Sequence, residues 1–360
     1  MDARSPPDSA NGDNSAAEWL ARAQSSLQAQ QWLPLQGQLA ALLARRDLSE
    51  AQRVEALLLQ AAACWRQGDL PGVTRPALQA ATLAGDLAGL RRQCIRALGF
   101  AAFALSELGL ADSALPHALR GLALAQDDPA QHQALPGALS CAAHVHARLG
   151  QFDEAEMLHM QALSLARESG LPEALHQAYA NLFSAVVSAH GELASAAEQA
   201  QAVRAAQACA QRHASHVLGF LDDKRLGAYR CMVLMLNLGD LLSLAGRLDD
   251  AEPLLRRCLM LAEEQGTRYY QMSAEAALAD LLLRRDRPSE AYSLLRRLLD
   301  PEGAERGSSL HLLALRTALA CQRRLGDRAA AELLQTELAA FERARAQVRA
   351  RALAMLGETV

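Results

Sequence analysis

Apolar residues recur along this chain at helical spacing, in runs that stop and restart at a fixed distance. Leu234, Leu238, Leu241, Leu242 and Leu244 fall on one helical face. Gly246 ends that run, and a second apolar run starts at Leu248 and continues through Ala251, Leu255 and Cys258. The same cadence, an apolar run, a Gly and then an Ala five residues on, returns at Gly109 with Ala114, Gly150 with Ala155, Gly191 with Ala196 and Gly326 with Ala331. Asp286 stands in the Gly place before Ala291, and a weaker copy sits at Gly68. The anchors at 68, 109, 150, 191, 246, 286 and 326 are 41, 41, 41, 55, 40 and 40 residues apart, a regularity that chance does not supply.

Each unit reads as two antiparallel helices. The anchor closes the first helix, because the residue after a helix end commonly adopts the left-handed conformation that Gly tolerates without strain. Asp153, Glu154, Asp249 and Asp250 follow where the first turn of the next helix carries partial positive charge. The Ala has no bulk, so the second helix can press against the first. One such hairpin cannot bury its apolar face alone, whereas a stack buries a continuous core and leaves a concave groove. The pattern therefore predicts an all-α solenoid of about seven to eight antiparallel hairpins over residues 15–340, with a degenerate first hairpin at 15–45. The 55-residue interval places an insertion at about 213–230, which holds Phe220 and Lys224. Residues 1–14, polar and carrying Pro and Gly, read as a disordered tail. Residues 341–360 read as an Arg-rich helix with Arg343, Arg345, Arg349 and Arg351.

Composition agrees with helices and narrows the function. About half of the 360 residues are apolar (51%), yet only 4% are aromatic, because Ala and Leu dominate. Such a core makes thin helical layers. The net charge of -4 gives no field for nucleic acid. Lys224 is the sole lysine among 36 basic residues, the Arg bias of a GC-rich bacterial genome and no sign of phosphate recognition. Seven scattered cysteines without a C-x-x-C pair read as small apolar residues in a reducing compartment. The chain start has no signal-peptide core and no run of 18 apolar residues occurs, so a soluble bacterial cytoplasmic protein with no membrane partner is expected.

Catalytic signatures are missing. The chain lacks G-x-x-x-x-G-K-[ST], G-x-G-x-x-G and G-x-S-x-G. His144 and His146 stand two apart and point away from each other on a helix. His213 and His216 share a face, but the four-ligand spacing of structural zinc sites is absent. No carboxylate pair is singled out as acid and base. No catalytic residue, metal or cofactor is expected, and the chain does not read as an enzyme.

Residues 237–266 resemble a tetratricopeptide repeat through Asn237, Leu238, Gly239, Gly246, Leu248, Ala251, Leu255 and Cys258, the last in place of the usual Ala. The unit from Pro136 is similar through Gly150, Phe152, Ala155 and Ala162, with Ala143 where the first Gly belongs. The resemblance covers roughly residues 50–340, and the period near 40 is similar to the long-helix variant in bacterial regulators of the maltose-operon-activator type and in cyclic-dinucleotide signalling proteins. It implies a right-handed superhelix that binds a protein or peptide and does no chemistry. It further implies that the first helix of each hairpin lines the groove. Mapped here, the candidates are Arg96, Phe103, Glu107, His144, Arg148, Asn181, Asn237, Asp240, Asp280, Arg284 and Arg316. Asn237 leads them, since an amide both donates to and accepts from a peptide backbone. Two readings stay open: a scaffold or adaptor that holds a protein or peptide segment, and the sensory part of a signalling or transcription regulator whose output domain is not in this chain.

Overall fold

The structure, a computed structural model, describes residues 16–28, 32–66, 69–85, 87–192, 195–221, 226–299 and 309–357. The tail expected at 1–14, the weak anchor Gly68 and Lys224 lie outside them. The described residues form sixteen α-helices and no strand. The N-terminal six are α1 (Ala16–Gln28), α2 (Trp32–Leu43), α3 (Glu50–Arg66), α4 (Leu70–Gly85), α5 (Arg91–Glu107) and α6 (Ala111–Gln126). The middle six are α7 (Leu135–Arg148), α8 (Phe152–Ser169), α9 (Pro172–Glu192), α10 (Ala196–Phe220), α11 (Gly227–Leu244) and α12 (Leu248–Glu264). The last four are α13 (Arg268–Arg284), α14 (Pro288–Leu295), α15 (Ser309–Leu325) and α16 (Arg328–Gly357).

Successive helices pack in pairs, and the odd-numbered helices from α3 to α15 also pack side by side in chain order. The odd helices are therefore the inner layer and the even ones the outer. The result is an all-α solenoid of eight hairpins among the described residues, within the seven to eight that the repeat predicts.

The turns are built alike. Gly109, Gly150, Gly246 and Gly326 have φ of 73°, 74°, 82° and 79°. Asp286 takes the same left-handed conformation at φ 59°, alone among the described non-Gly residues. Each is followed by a residue whose N–H reaches back five positions: Leu110 to Leu105 O (2.9 Å), Gln151 to His146 O (3.0 Å), Arg247 to Leu242 O (2.8 Å), Arg287 to Leu282 O (2.9 Å) and Asp327 to Gln322 O (3.1 Å). These bonds satisfy carbonyls that the helix end would otherwise orphan. Five residues past the anchor, Ala114, Ala155, Ala251, Ala291 and Ala331 are all buried. In α11 the close approach is set from both sides. A Cβ on Gly239 would lie 2.6 Å from Leu255 Cδ2 and 3.7 Å from the Ala251 carbonyl.

The unit at Gly191 departs from the pattern. Helix α9 runs through Gly191 to Glu192, and Ala196 is exposed at the start of α10. Helices α9 and α10 are the long pair, with 21 and 25 residues. Helix α10 begins with a reciprocal cap, in which Ser195 Oγ accepts from Glu198 N–H (3.2 Å) while the Glu198 carboxylate accepts from Ser195 N–H (2.9 Å).

Helix α16 is 30 residues long, about 45 Å. It starts against α15, where Phe341 meets the His311 ring with centroids 5.4 Å apart. It then reaches back to the third hairpin. Ala352 is fully buried and, with Val348, joins the apolar cluster of Leu105, Leu108 and Leu110. Arg345 donates to the Glu107 carbonyl (3.4 Å). The Arg-rich segment is thus folded back onto the turn between α5 and α6.

This packing sets a paired test. Ala251→Arg should overfill the α11–α12 contact and cost about 1–3 kcal/mol or more, whereas Ala196→Arg, at the matching but exposed position, should stay within about 0.5 kcal/mol of the parent. Thermal denaturation of the two variants checks this, and equal melting in both would contradict the assigned contacts.

Candidate ligand-binding groove

The inner helices enclose a cavity of about 510 Å³. Each contributes one face at a spacing of three or four residues: Ser184, Val187 and Ser188 from α9, Leu236, Asn237, Asp240, Ser243 and Leu244 from α11, Ser273, Ala277, Asp280 and Arg284 from α13, and Leu313, Arg316, Thr317 and Ala320 from α15. Glu107 and Arg148 close the end nearer the N-terminus. Seven of the eleven sequence candidates thus meet in one space: Glu107, Arg148, Asn237, Asp240, Asp280, Arg284 and Arg316.

The other four lie elsewhere. Arg96 faces out, 3.7 Å from Glu55, with its guanidinium 5.8 Å from the Phe100 ring centroid. Phe103 packs between Trp65 and His144, at centroid distances of 6.2 and 5.0 Å. His144 is buried behind the wall. Asn181 accepts from Gln177 Nε2 (2.8 Å) on its own helix. One turn further along α9 stand Ser184 and Ser188, which the sequence reading passed over; a phase shift of three residues from Asn181 would have found them.

The repeat period explains the electrostatics. Glu107 and Arg148 are 41 residues apart, the same register on neighbouring inner helices. Arg148 Nη2 lies 2.6 Å from Glu107 Oε1, and His144 Nε2 lies 3.2 Å from the same oxygen. Arg148 Nη1 also donates to Ser188 O (3.1 Å), so one buried guanidinium ties α7 to both α5 and α9. Burial alone would raise the Glu107 pKa, but the charge of Arg148 and the bonds from His144 and Arg148 outweigh it and pull the carboxyl down to about 2. The Glu107 main chain meanwhile receives Arg345 from α16.

Asp240 and Asp280 are 40 residues apart, again in register, but here two like charges face each other. Burial, then the charge of Asp280, push the Asp240 pKa up to about 7, against the opposing pull of Arg284. Asp280 itself is paired with Arg284 at 2.7 Å. Arg316 is held 3.2 Å from Glu342 of α16. Asn237 spends part of its amide on the scaffold: Nδ2 donates to Ala180 O of α9 (3.2 Å). Among the described residues no group of three or more His, Cys, Asp or Glu is placed to hold a metal ion.

No protein-family model matches the chain, and no curated protein does. Solved structures do. A Rap protein complexed with competence and sporulation factor superposes with a TM-score of 0.55 at 12% identity, over 92% of this chain and 87% of that one. The apo form of RapI gives a TM-score of 0.50 at 11% identity, over 96% of this chain and 97% of that one. The fold is that of a tetratricopeptide-type helical-repeat solenoid. At such identity the likeness is one of fold, and the lining of this solenoid is its own.

The two half-buried carboxyls carry opposite pH signatures. Asp240 has a folded-state pKa near 7 against an ordinary 3.8, so folding becomes less favourable as pH rises through that window. Asp240→Asn should therefore raise the melting temperature at pH 8 and leave it unchanged near pH 4. Solvent in the cavity holds the gain to about 1–2 kcal/mol. Glu107 behaves in reverse: its contribution is present above pH 4.5 and is lost as pH falls toward 2. Glu107→Gln should cost about 2–4 kcal/mol at pH 7, because it strands a buried guanidinium, and should flatten the acid limb. Melting curves from pH 2 to 8 read both effects.

Proposed function

We propose that the chain is a non-catalytic, peptide-binding protein whose ligand is a short extended segment held in the cavity of the inner helices. The observation that carries this reading is the row of acceptors and charges that the repeat register brings into one space, from Arg148 through Asn237 and Asp240 to Arg316. Ser184, Ser188 and Thr317 add hydroxyls that serve either polarity of a peptide backbone, and Val187, Leu236 and Leu313 add apolar contact. The occurrence of a bound factor in the Rap protein of similar fold supports the same choice of ligand. No helix among the described residues is long and apolar enough to cross a membrane.

The charge state of Asp240 defines what the ligand brings. A carboxyl that is half-protonated near neutrality beside Asp280 is relieved by a cation. The ligand therefore presents a basic side chain or its free N-terminus to Asp240, and binding releases a proton at pH values near 7 and below. A regulatory role is favoured over a passive scaffold by one feature. Helix α16 carries Glu342 beside Arg316 and Arg345 on Glu107, so it touches both ends of the cavity and would sense its occupation. The output partner in that reading is a separate protein or domain.

A library of short peptides, selected on the wild-type chain at pH 7.5, tests the proposal. Selected peptides should carry a basic group, should weaken about 10-fold or more on Asp240→Asn, and should bind more weakly at pH 5.5 than at pH 7.5. Peptides that bind Asp240→Asn and Arg284→Ala as tightly as the wild type would place the ligand elsewhere and overturn the reading.

A further inference from the structure

The solenoid holds a second cavity, of about 350 Å³, on its outer side. It lies between the outer helices α8 and α10 and is floored by α9. It uses Leu182, Ala185 and Val186, the face of α9 opposite to the Ser184 and Ser188 side that borders the groove. It lies beside the irregular unit, in which α9 runs on through Gly191 and α10 starts with Ala196 exposed. Their contact across the mouth is the ion pair of Arg212 with Glu156, which includes Arg212 Nη2 to Glu156 Oε2 at 2.9 Å.

His159 lines this space and does not belong there by the logic of the repeat. It stands nine residues after its anchor, the position that Ala118 and Leu255 fill as buried apolar residues in other units. His159 is 1% exposed, and neither ring nitrogen has a hydrogen-bond partner among the described residues. Burial, with the nearby charge of His144 second, holds its pKa down at about 3, so the ring is neutral and offers one donor and one bare acceptor. Two unpaired polar atoms in such a place cost free energy unless a guest satisfies them. Phe152, Leu182, Val186 and Cys209 give the rest of the wall its apolar part, and Asp153, Glu156, Gln201, Arg204 and Arg212 give it a polar part in which two acids stand against two bases.

We infer that the crevice between α8 and α10 is a binding site for a small uncharged ring compound that carries a hydroxyl or ring N–H, which bonds to His159 while the ring packs on Phe152 and Leu182. The volume sits at the lower end of small-molecule pockets and fits one or two fused rings. A neutral imidazole, an apolar floor and lining charges that balance, Asp153 and Glu156 against Arg204 and Arg212, give a charged guest no net attraction to offset its desolvation. The site is separate from the peptide groove and stands whether or not a peptide binds there.

Phenol, indole and benzoate, titrated into the full chain labelled with ¹⁵N-histidine, test this. Phenol and indole should shift the ring nitrogens of a single histidine saturably, with dissociation constants on the order of 0.1–1 mM, and benzoate should leave it in place. His159→Phe identifies the signal by its loss and should weaken binding about 3- to 10-fold as read by calorimetry. Ala208→Trp fills the crevice and leaves the histidine signal present, so it should abolish the shift. No saturable shift at about 10 mM probe, a shift that survives Ala208→Trp, or benzoate binding as well as phenol would each overturn the inference.

Discussion

How closely two helices of a hairpin can approach determines everything else in this molecule. Ala five residues past the turn, and in α11 also Gly239, remove the side-chain bulk that would hold the axes apart. The left-handed residue at the turn then fixes where the second helix starts. Neither device alone suffices: a tight turn without the small residue would splay the helices, and a small residue after a loose turn would find no fixed partner. Asp286 shows how strong the demand is. The chain places a non-Gly residue at φ 59° there, and the left-handed turn and its back-bond are kept.

A fixed hairpin geometry makes the period a spatial ruler. Residues about 40 positions apart on successive inner helices become neighbours across the groove wall. Opposite charges at that spacing, as in Glu107 and Arg148, tie the layers together. Like charges at the same spacing, as in Asp240 and Asp280, do the reverse and raise the cost of ionising a carboxyl. One register thus joins the layers at one point and sets like charges against each other at another. Glu107 joins the two tasks, since its carboxylate holds α7 and its carbonyl holds α16.

Much of the fold was legible because its causes are local. Turn conformation, small-residue contact and apolar spacing are all written within one unit, and repetition amplifies them. The reading faltered at Gly191, where helix length overrides the anchor: α9 carries on to Glu192, and Ala196 is left in solvent. The groove was legible in part. Residues in register with Asn237 and Asp240 fell into the cavity, while Asn181 missed it by one helical phase. The engagement of Asn237 with Ala180 depends on the packing distance between two helices, which periodicity does not encode. The fold-back of α16 was invisible for the same reason. Its arginines read equally well as a solvated face, and only the position of the α5–α6 turn in space gives Arg345 a carbonyl to meet. His159 could have been noticed as a polar residue in an apolar slot, but the crevice that it lines is set by the spacing of α8 and α10, which periodicity does not encode.

The contact that holds α16 back on the stack is the one with the turn between α5 and α6, through Arg345 on the Glu107 carbonyl and Ala352 in the apolar cluster. Hydrogen exchange of the full chain, read by mass spectrometry, tests it most directly. The account predicts slow exchange for the amides of residues 345–352, as slow as those of residues 105–107 beneath them, since both then open only when the apolar cluster around Ala352 opens. Rapid exchange along 345–352 beside a protected α5 would show α16 free of that cluster and would contradict the fold-back.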